Sequence, residues 1–296
     1  MKKLFYTERY KYLAEKLAKD IPLGEFERKT FSDGETYFRF KESLKGKDVI
    51  ILGGTVSDEE TLDIFDMACA ASMYGAKSIN LVIPYFGYST MERAVNSGEV
   101  VKAKTRARIL SGIPRAIEIN TVYLFDLHVS GIVHYFENEL HAVHMYGKKL
   151  IPEVIKKIGK KNLVLASPDE GRVKWVSSLA KENNLPLAVA LKQRDGEDTE
   201  NIAVDKNVKG KNVLIYDDMI RSGGTLSQAA KAYKDAGAKK IYVVASHGVF
   251  TSEKLINSEL FEKIYVSNSH PNALNKKNVE ILDISNIILE SLDENL

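Results

Sequence analysis

Short runs of Val, Ile and Leu recur along the chain: DVIILGG, INLVIPYFG, TVYLFDLH, NLVLASPD, PLAVALK, NVLIYDD and KIYVVASHG. Their hydrophobicity is continuous rather than alternating, and most run directly into Gly, Pro, Asp or Ser. Between most of them lie amphipathic segments of helical length. This combination predicts strands buried on both faces, running parallel and joined by helices, which is an α/β fold. In such sheets ligands sit beyond the carboxyl ends of the strands, so the polar residues after each run are where chemistry is expected.

The pattern also repeats. GKDVIILGG resembles GKNVLIYDD, and GAKSINLVIPYFG resembles GAKKIYVVASHG, with Gly46 and Gly210 separated by nearly the same distance as Gly75 and Gly237. Two similar α/β halves in tandem explain both pairs. The boundary is expected near Lys148 to Asn162, giving domains over 1–147 and 148–280 and a C-terminal helix over 281–296 that packs back on the first domain.

Composition narrows the function classes. The 296 residues are 44% hydrophobic and 28% charged, as in an ordinary globular protein. No apolar run approaches the 18 or so residues that span a bilayer, so no membrane role is expected. The N-terminus alternates charged and apolar residues and lacks the core of a secretory signal, so a cytoplasmic location is expected. With 42 basic and 40 acidic residues there is no global field to attract nucleic acid. Lys156, Lys157, Lys160 and Lys161 read as a solvated helix end. A single cysteine, Cys69 in an apolar helical pattern, excludes a disulfide framework and a cysteine metal cluster.

The stretch VLIYDDMIRSGGTLSQAAKAY concentrates the chemistry. After the apolar run Val213 to Tyr216, Asp217 and Asp218 are expected at the carboxyl end of a strand. There, adjacent carboxylates accept hydrogen bonds from sugar hydroxyls or meet a magnesium ion. Arg221 follows, and then Ser222, Gly223, Gly224 and Thr225 lead into a helix, so that small residues let backbone N–H groups approach an anion at the helix N-terminus. In FSDGETYFRF the alternation predicts a strand with Phe31, Asp33 and Glu35 on one face, a ring and two acceptors suited to a purine.

The order of these segments resembles the ribose-phosphate pyrophosphokinases, the synthetases of phosphoribosyl diphosphate (PRPP), over nearly the whole chain. The resemblance implies two tandem phosphoribosyltransferase-like (type I) domains and magnesium-dependent transfer of the β,γ-diphosphoryl group of ATP to ribose 5-phosphate. By that resemblance Phe31, Asp33 and Glu35 read the ATP base. His128, in DLH, and Asp169, in SPDEG, are the metal contacts. Lys192 and Arg194, in LKQRDGEDTE, match the K-x-R of a mobile catalytic loop whose cations stabilise the transferring group. It further implies a homo-oligomer in which a neighbour supplies the residue matching Phe31.

Several positions depart from the common pattern. Thr90 and Met91 stand where the family has Arg and Gln, Arg221 replaces an aspartate of the phosphate loop, and Arg172 replaces a glycine after SPDE. The segment STMERAVNSGEVVKAKTRARILSGIP is similar to plant-type class II synthetases, in which adenine recognition is looser and other nucleoside triphosphates can serve as donors, and makes Arg93 the candidate for an added phosphate contact. Arg172 and Arg221 raise the expectation of a larger acceptor such as ADP-ribose. The changes at Thr90 and Met91 raise that of a non-catalytic, regulatory synthetase-like subunit. A phosphoribosyltransferase that consumes PRPP explains the phosphate loop but not the tandem halves.

Overall fold

The computed structural model describes residues 1–195, 199–204 and 206–295, with side chains for all of these except 192–195, 199–202, 206 and 295. It divides into two compact units, Met1–Tyr146 with Ser285–Leu296, and Gly147–Ile284.

In the first unit, strands β1 (Lys2–Tyr6), β4 (Asp48–Leu52), β5 (Ser78–Ile83), β6 (Ile119–Phe125) and β7 (Leu140–Met145) form a parallel sheet in the order β1-β4-β5-β6-β7. All six residues of β5 are buried, as its unbroken apolar run requires. Helices α1 (Lys11–Leu17), α2 (Asp58–Met73) and α3 (Lys102–Ser111) belong to this unit, and the last helix of the chain, α7 (Ser285–Asn295), contacts α1 and β7. Cys69 is half-buried against the core on α2, and burial pushes its thiol pKa up.

Strands β2 (Phe26–Thr30) and β3 (Thr36–Phe40) form a separate antiparallel pair. This corrects the expected strand through Phe31, Asp33 and Glu35, because those residues make the turn between β2 and β3. Gly34 takes a left-handed φ of +93°, and the Glu35 N–H donates to Asp33 Oδ1 at 3.1 Å. An Asp-Gly pair between alternating segments is a hairpin signal, and it overrides the alternation.

Helix α2 starts at Ser57, whose hydroxyl accepts from the Glu60 N–H at 3.2 Å, with Asp58, Glu59 and Glu60 in the first turn. Glu60 turns inward, accepts from the Thr7 hydroxyl, and has a buried Oε2 with no hydrogen-bond partner. Burial raises its pKa to about 7, opposed chiefly by the Thr7 hydrogen bond. Because the folded value exceeds the unfolded one, folding takes up a proton. The stability held below pH 4.5 is lost as pH rises towards 7, at a cost of about 3 kcal/mol at most. Glu60→Gln should therefore melt higher than the parent at pH 8, with the gap closing by pH 5; parallel melting curves across that range would contradict this.

In the second unit, strands β8 (Leu163–Ser167), β9 (Leu187–Asp195), β10 (Thr199–Val204), β11 (Asn212–Ile220), β12 (Lys240–Gly248), β13 (Lys263–Ser267) and β14 (Val279–Leu282) form one sheet in the order β10-β9-β8-β11-β12-β13-β14. All pairs are parallel except β10 with β9. Helices α4 (Leu150–Ile158), α5 (Val173–Glu182) and α6 (Gly224–Asp235) flank this sheet with buried apolar stripes, for example Leu226, Ala229, Ala230 and Tyr233 on α6. The lysines at the end of α4 are exposed, and Lys157 pairs with Glu280 at 3.0 Å.

Candidate active site

Strand β11 pairs with β8 only as far as Ile215 opposite Ala166, but with β12 as far as Ile220 opposite Gly248. The acid pair lies in the carboxyl-terminal half of β11, with two further strand residues after it. Asp217 and Asp218 lie within β11, on the stretch that overhangs β8, because Met219 and Ile220 still find register partners on β12. The overhang opens the acids towards the turn that follows β8.

That turn carries Asp169, at the start of a short 3-10 segment, Glu170–Arg172, that leads into α5. Arg172 Nε lies 3.6 Å from Asp217 Oδ1, and Arg172 Nη2 forms an ion pair with Asp218 Oδ1. The sequence marked Arg172 only as a departure and gave it to a larger ligand. In the structure it faces the two acids, as opposite charge in a poorly solvated place dictates. Burial and the neighbouring Asp218 push the Asp217 carboxyl well above the ordinary carboxylate range, and Arg172 pulls it down.

The phosphate-type loop follows β11 directly. Gly223 has a left-handed φ of +80°, and its α-carbon packs so closely on Leu255 that an added Cβ would stand 2.3 Å from Leu255 Cδ1. The carbonyl of Ile220 accepts from Val249 and Phe250 N–H at 2.9 and 3.0 Å, and that of Arg221 from Thr251 N–H at 3.0 Å, so the start of the loop is held by backbone hydrogen bonds from the segment that follows β12. Helix α6 begins at Gly224 with no side chain capping its N-terminus, and Arg221, Ser222, Gly224 and Thr225 are exposed around it. Uncapped N–H groups, the positive end of the helix dipole and an adjacent arginine are the features of a candidate anion site.

Asp169 fits a hard divalent cation: its Oδ1 is buried without a hydrogen-bond partner, and an added Cβ on Gly171 would lie 3.3 Å from that oxygen. Among the described residues no group of three or more His, Cys, Asp and Glu side chains is gathered for a metal. Magnesium commonly takes only one or two protein carboxylates, with water and substrate oxygens completing its shell.

Two profiles match the chain: the N-terminal domain of ribose phosphate pyrophosphokinase over residues 2–113, and the phosphoribosyl synthetase-associated domain over residues 160–294. The ribose-phosphate pyrophosphokinase of Prochlorococcus marinus subsp. pastoris is 32% identical over 95% of this chain and 86% of its own length. The chain belongs to the ribose-phosphate pyrophosphokinase family. A Mycoplasma genitalium member is 33% identical over 97% of the chain and 89% of its own, and chloroplastic pyrophosphokinase 5 of Arabidopsis thaliana is 32% identical over 92% and 70%. The phosphoribosylpyrophosphate synthetase structure from Mycobacterium smegmatis superposes with a TM-score of 0.87 at 26% identity, covering 100% of this chain and 99% of that one. The tandem α/β architecture inferred from the sequence is thus the family's fold.

The remaining candidates are spread over both units. In the first, His128 is half-buried just beyond β6, after a kink at Asp126, whose φ is +41°. Phe31 is 52% exposed at the hairpin tip, edge-on to Tyr37 at 6.2 Å, and Asp33 and Glu35 are exposed beside it. Arg93 lies in an irregular segment between β5 and α3, with its side chain 78% exposed and 3.5 Å from Glu92. In the second unit Lys192 and Arg194 occupy backbone positions opposite Ile202 and Glu200 where β9 pairs with β10; their side chains and residues 196–198, on which the expected catalytic loop falls, lie outside the described residues. Among the described residues no helix is long and apolar enough to cross a membrane.

Proposed function

We infer that this chain is a ribose-phosphate diphosphokinase that makes PRPP and AMP from ATP and ribose 5-phosphate. The observation that carries the reading is the acid pair on β11 followed directly by the backbone-held glycine loop and the uncapped N-terminus of α6, in a chain of this family. Asp217 and Asp218 accept hydrogen bonds from the ribose hydroxyls. The 5′-phosphate is held by the N–H groups and hydroxyls of Ser222 to Thr225, with Arg221 adding charge. The C1 hydroxyl oxygen bonds to the β-phosphorus of ATP as the bond from that phosphorus to the α-phosphate oxygen breaks. AMP leaves and the hydroxyl proton is released.

Lys192 and Arg194 are proposed as the cations that meet charge on the transferring group, supported by their K-x-R match. Asp169 would hold a magnesium ion, which supplies charge neutralisation on the ATP phosphates when bound. His128 is proposed for metal contact on the family resemblance. The exposed ring and acids at Phe31, Asp33 and Glu35 support a role in reading the base of a nucleotide bound to a second copy of the chain, and hence a homo-oligomer. Phe31→Ala should raise the KM for ATP roughly 10-fold, the usual worth of a base stack, while melting stays within about 0.5 kcal/mol because the ring is exposed. An unchanged KM would remove Phe31 from the site.

The larger-acceptor reading loses one of its two supports, because Arg172 is engaged with the acids, and keeps only the exposed Arg221. AMP release measured with ribose 5-phosphate, with ADP-ribose and without acceptor decides the matter: the inference expects release with ribose 5-phosphate and fails if ADP-ribose is preferred.

A further inference from the structure

Arg172 is held one short turn beyond Asp169, with its side chain 17% exposed, against an Asp218 side chain that is 6% exposed and an Asp217 side chain that is 16% exposed. The two acids touch, with the Asp218 N–H donating to Asp217 Oδ1 at 2.9 Å, and burial and Asp218 push Asp217 towards its neutral form, so a positive partner is needed to keep both as carboxylates. A sugar-phosphate site commonly supplies that partner as a divalent ion. Here the chain supplies it covalently. A guanidinium also differs from an ion in shape: its planar fork can reach both carboxylates at once.

We propose that Arg172 is a positioning residue, a built-in counter-cation that takes the place of a divalent ion at Asp217 and Asp218 and aims both carboxylates at the ribose hydroxyls. The proposal rests on the reading of this site as one for a ribose phosphate. It divides the acids of the second unit by task. Asp169, with its unpartnered Oδ1, is left for a metal, whereas Asp217 and Asp218 are committed to the sugar. Capture of ribose 5-phosphate by the free protein is then independent of divalent ions, and loss of the guanidinium makes it dependent on them.

The test uses the full chain without nucleotide. Free Mn2+ is followed by electron paramagnetic resonance during titration of the parent, Arg172→Ala, Arg172→Lys and the double variant Arg172→Ala/Asp218→Asn. Arg172→Ala should gain one Mn2+ per chain, the double variant should lose that added site, and Arg172→Lys should not gain it. Calorimetry in EDTA should show Arg172→Ala binding ribose 5-phosphate about 10-fold or more weakly than the parent, as expected for loss of charge-oriented hydrogen bonds. Added Mn2+ should restore most of the difference, an outcome that loss of structure would not give. Equal Mn2+ counts in the parent and Arg172→Ala, or equal affinities in EDTA, would overturn the proposal. If no form binds ribose 5-phosphate while the extra Mn2+ site still appears, the ribose-phosphate reading fails and the counter-cation assignment stands. Should Arg172→Ala not fold, Arg172→Gln carries the same titrations.

Discussion

Gly223→Ala should destabilise the second unit by about 2–4 kcal/mol and abolish measurable binding of ribose 5-phosphate. A side chain at φ +80° costs about 1–2 kcal/mol in the left-handed region. The new Cβ would also stand 2.3 Å from Leu255 Cδ1 and 2.6 Å from Leu255 Cβ, and overpacking of that kind adds about 1–3 kcal/mol. Relief requires either Leu255 or the loop to move, and moving the loop misaligns the N–H groups at the start of α6. Gly224→Ala is the control. Its nearest contact would be Ser222 Oγ at 3.8 Å and its backbone is helical, so melting should stay within about 0.5 kcal/mol. Thermal melts of the two variants check this directly, and equal melting temperatures would show that the left-handed turn does not carry the loop.

The second large effect is expected from Asp218→Asn. The substitution keeps volume and removes a charge that accepts both from Arg172 and, in the proposed complex, from a ribose hydroxyl. Loss of one charged hydrogen bond of about 1.5–3 kcal/mol lowers kcat/KM roughly 10- to 200-fold. Arg172 keeps Asp217 at 3.6 Å, so the fold should survive. Steady-state kinetics should place the loss on ribose 5-phosphate, with the KM for ATP little changed. A loss confined to ATP would move the acid pair to the nucleotide.

The sheet was legible where strands are buried on both faces. Runs such as DVIILGG and SINLVI became β4 and β5 because burial on both faces leaves no room for polar alternation. The edges were harder. β7, LHAVHM, is half exposed and polar enough to pass for a loop, and β2 and β3 form a separate pair whose Asp-Gly turn was read as strand. At the site, Asp217, Asp218 and the glycine loop were readable because they follow one another in sequence. The extent of β11 was not, since it depends on which neighbour continues to pair. The role of Arg172 was hidden for the same reason: its partners come from a different strand, 45 residues or more away in the chain. Opposite charge in a shared, poorly solvated space joins them, and spacing within one segment cannot report that.

The central claim is that a diphosphoryl group moves intact from ATP to ribose 5-phosphate. Phosphorus-31 NMR of the purified chain with ATP, magnesium and ribose 5-phosphate tests it most directly. The account predicts AMP and a C1-linked diphosphate ester appearing in equal amounts, with neither ADP nor free pyrophosphate rising. ADP with a ribose bisphosphate, or no turnover at all, would contradict it.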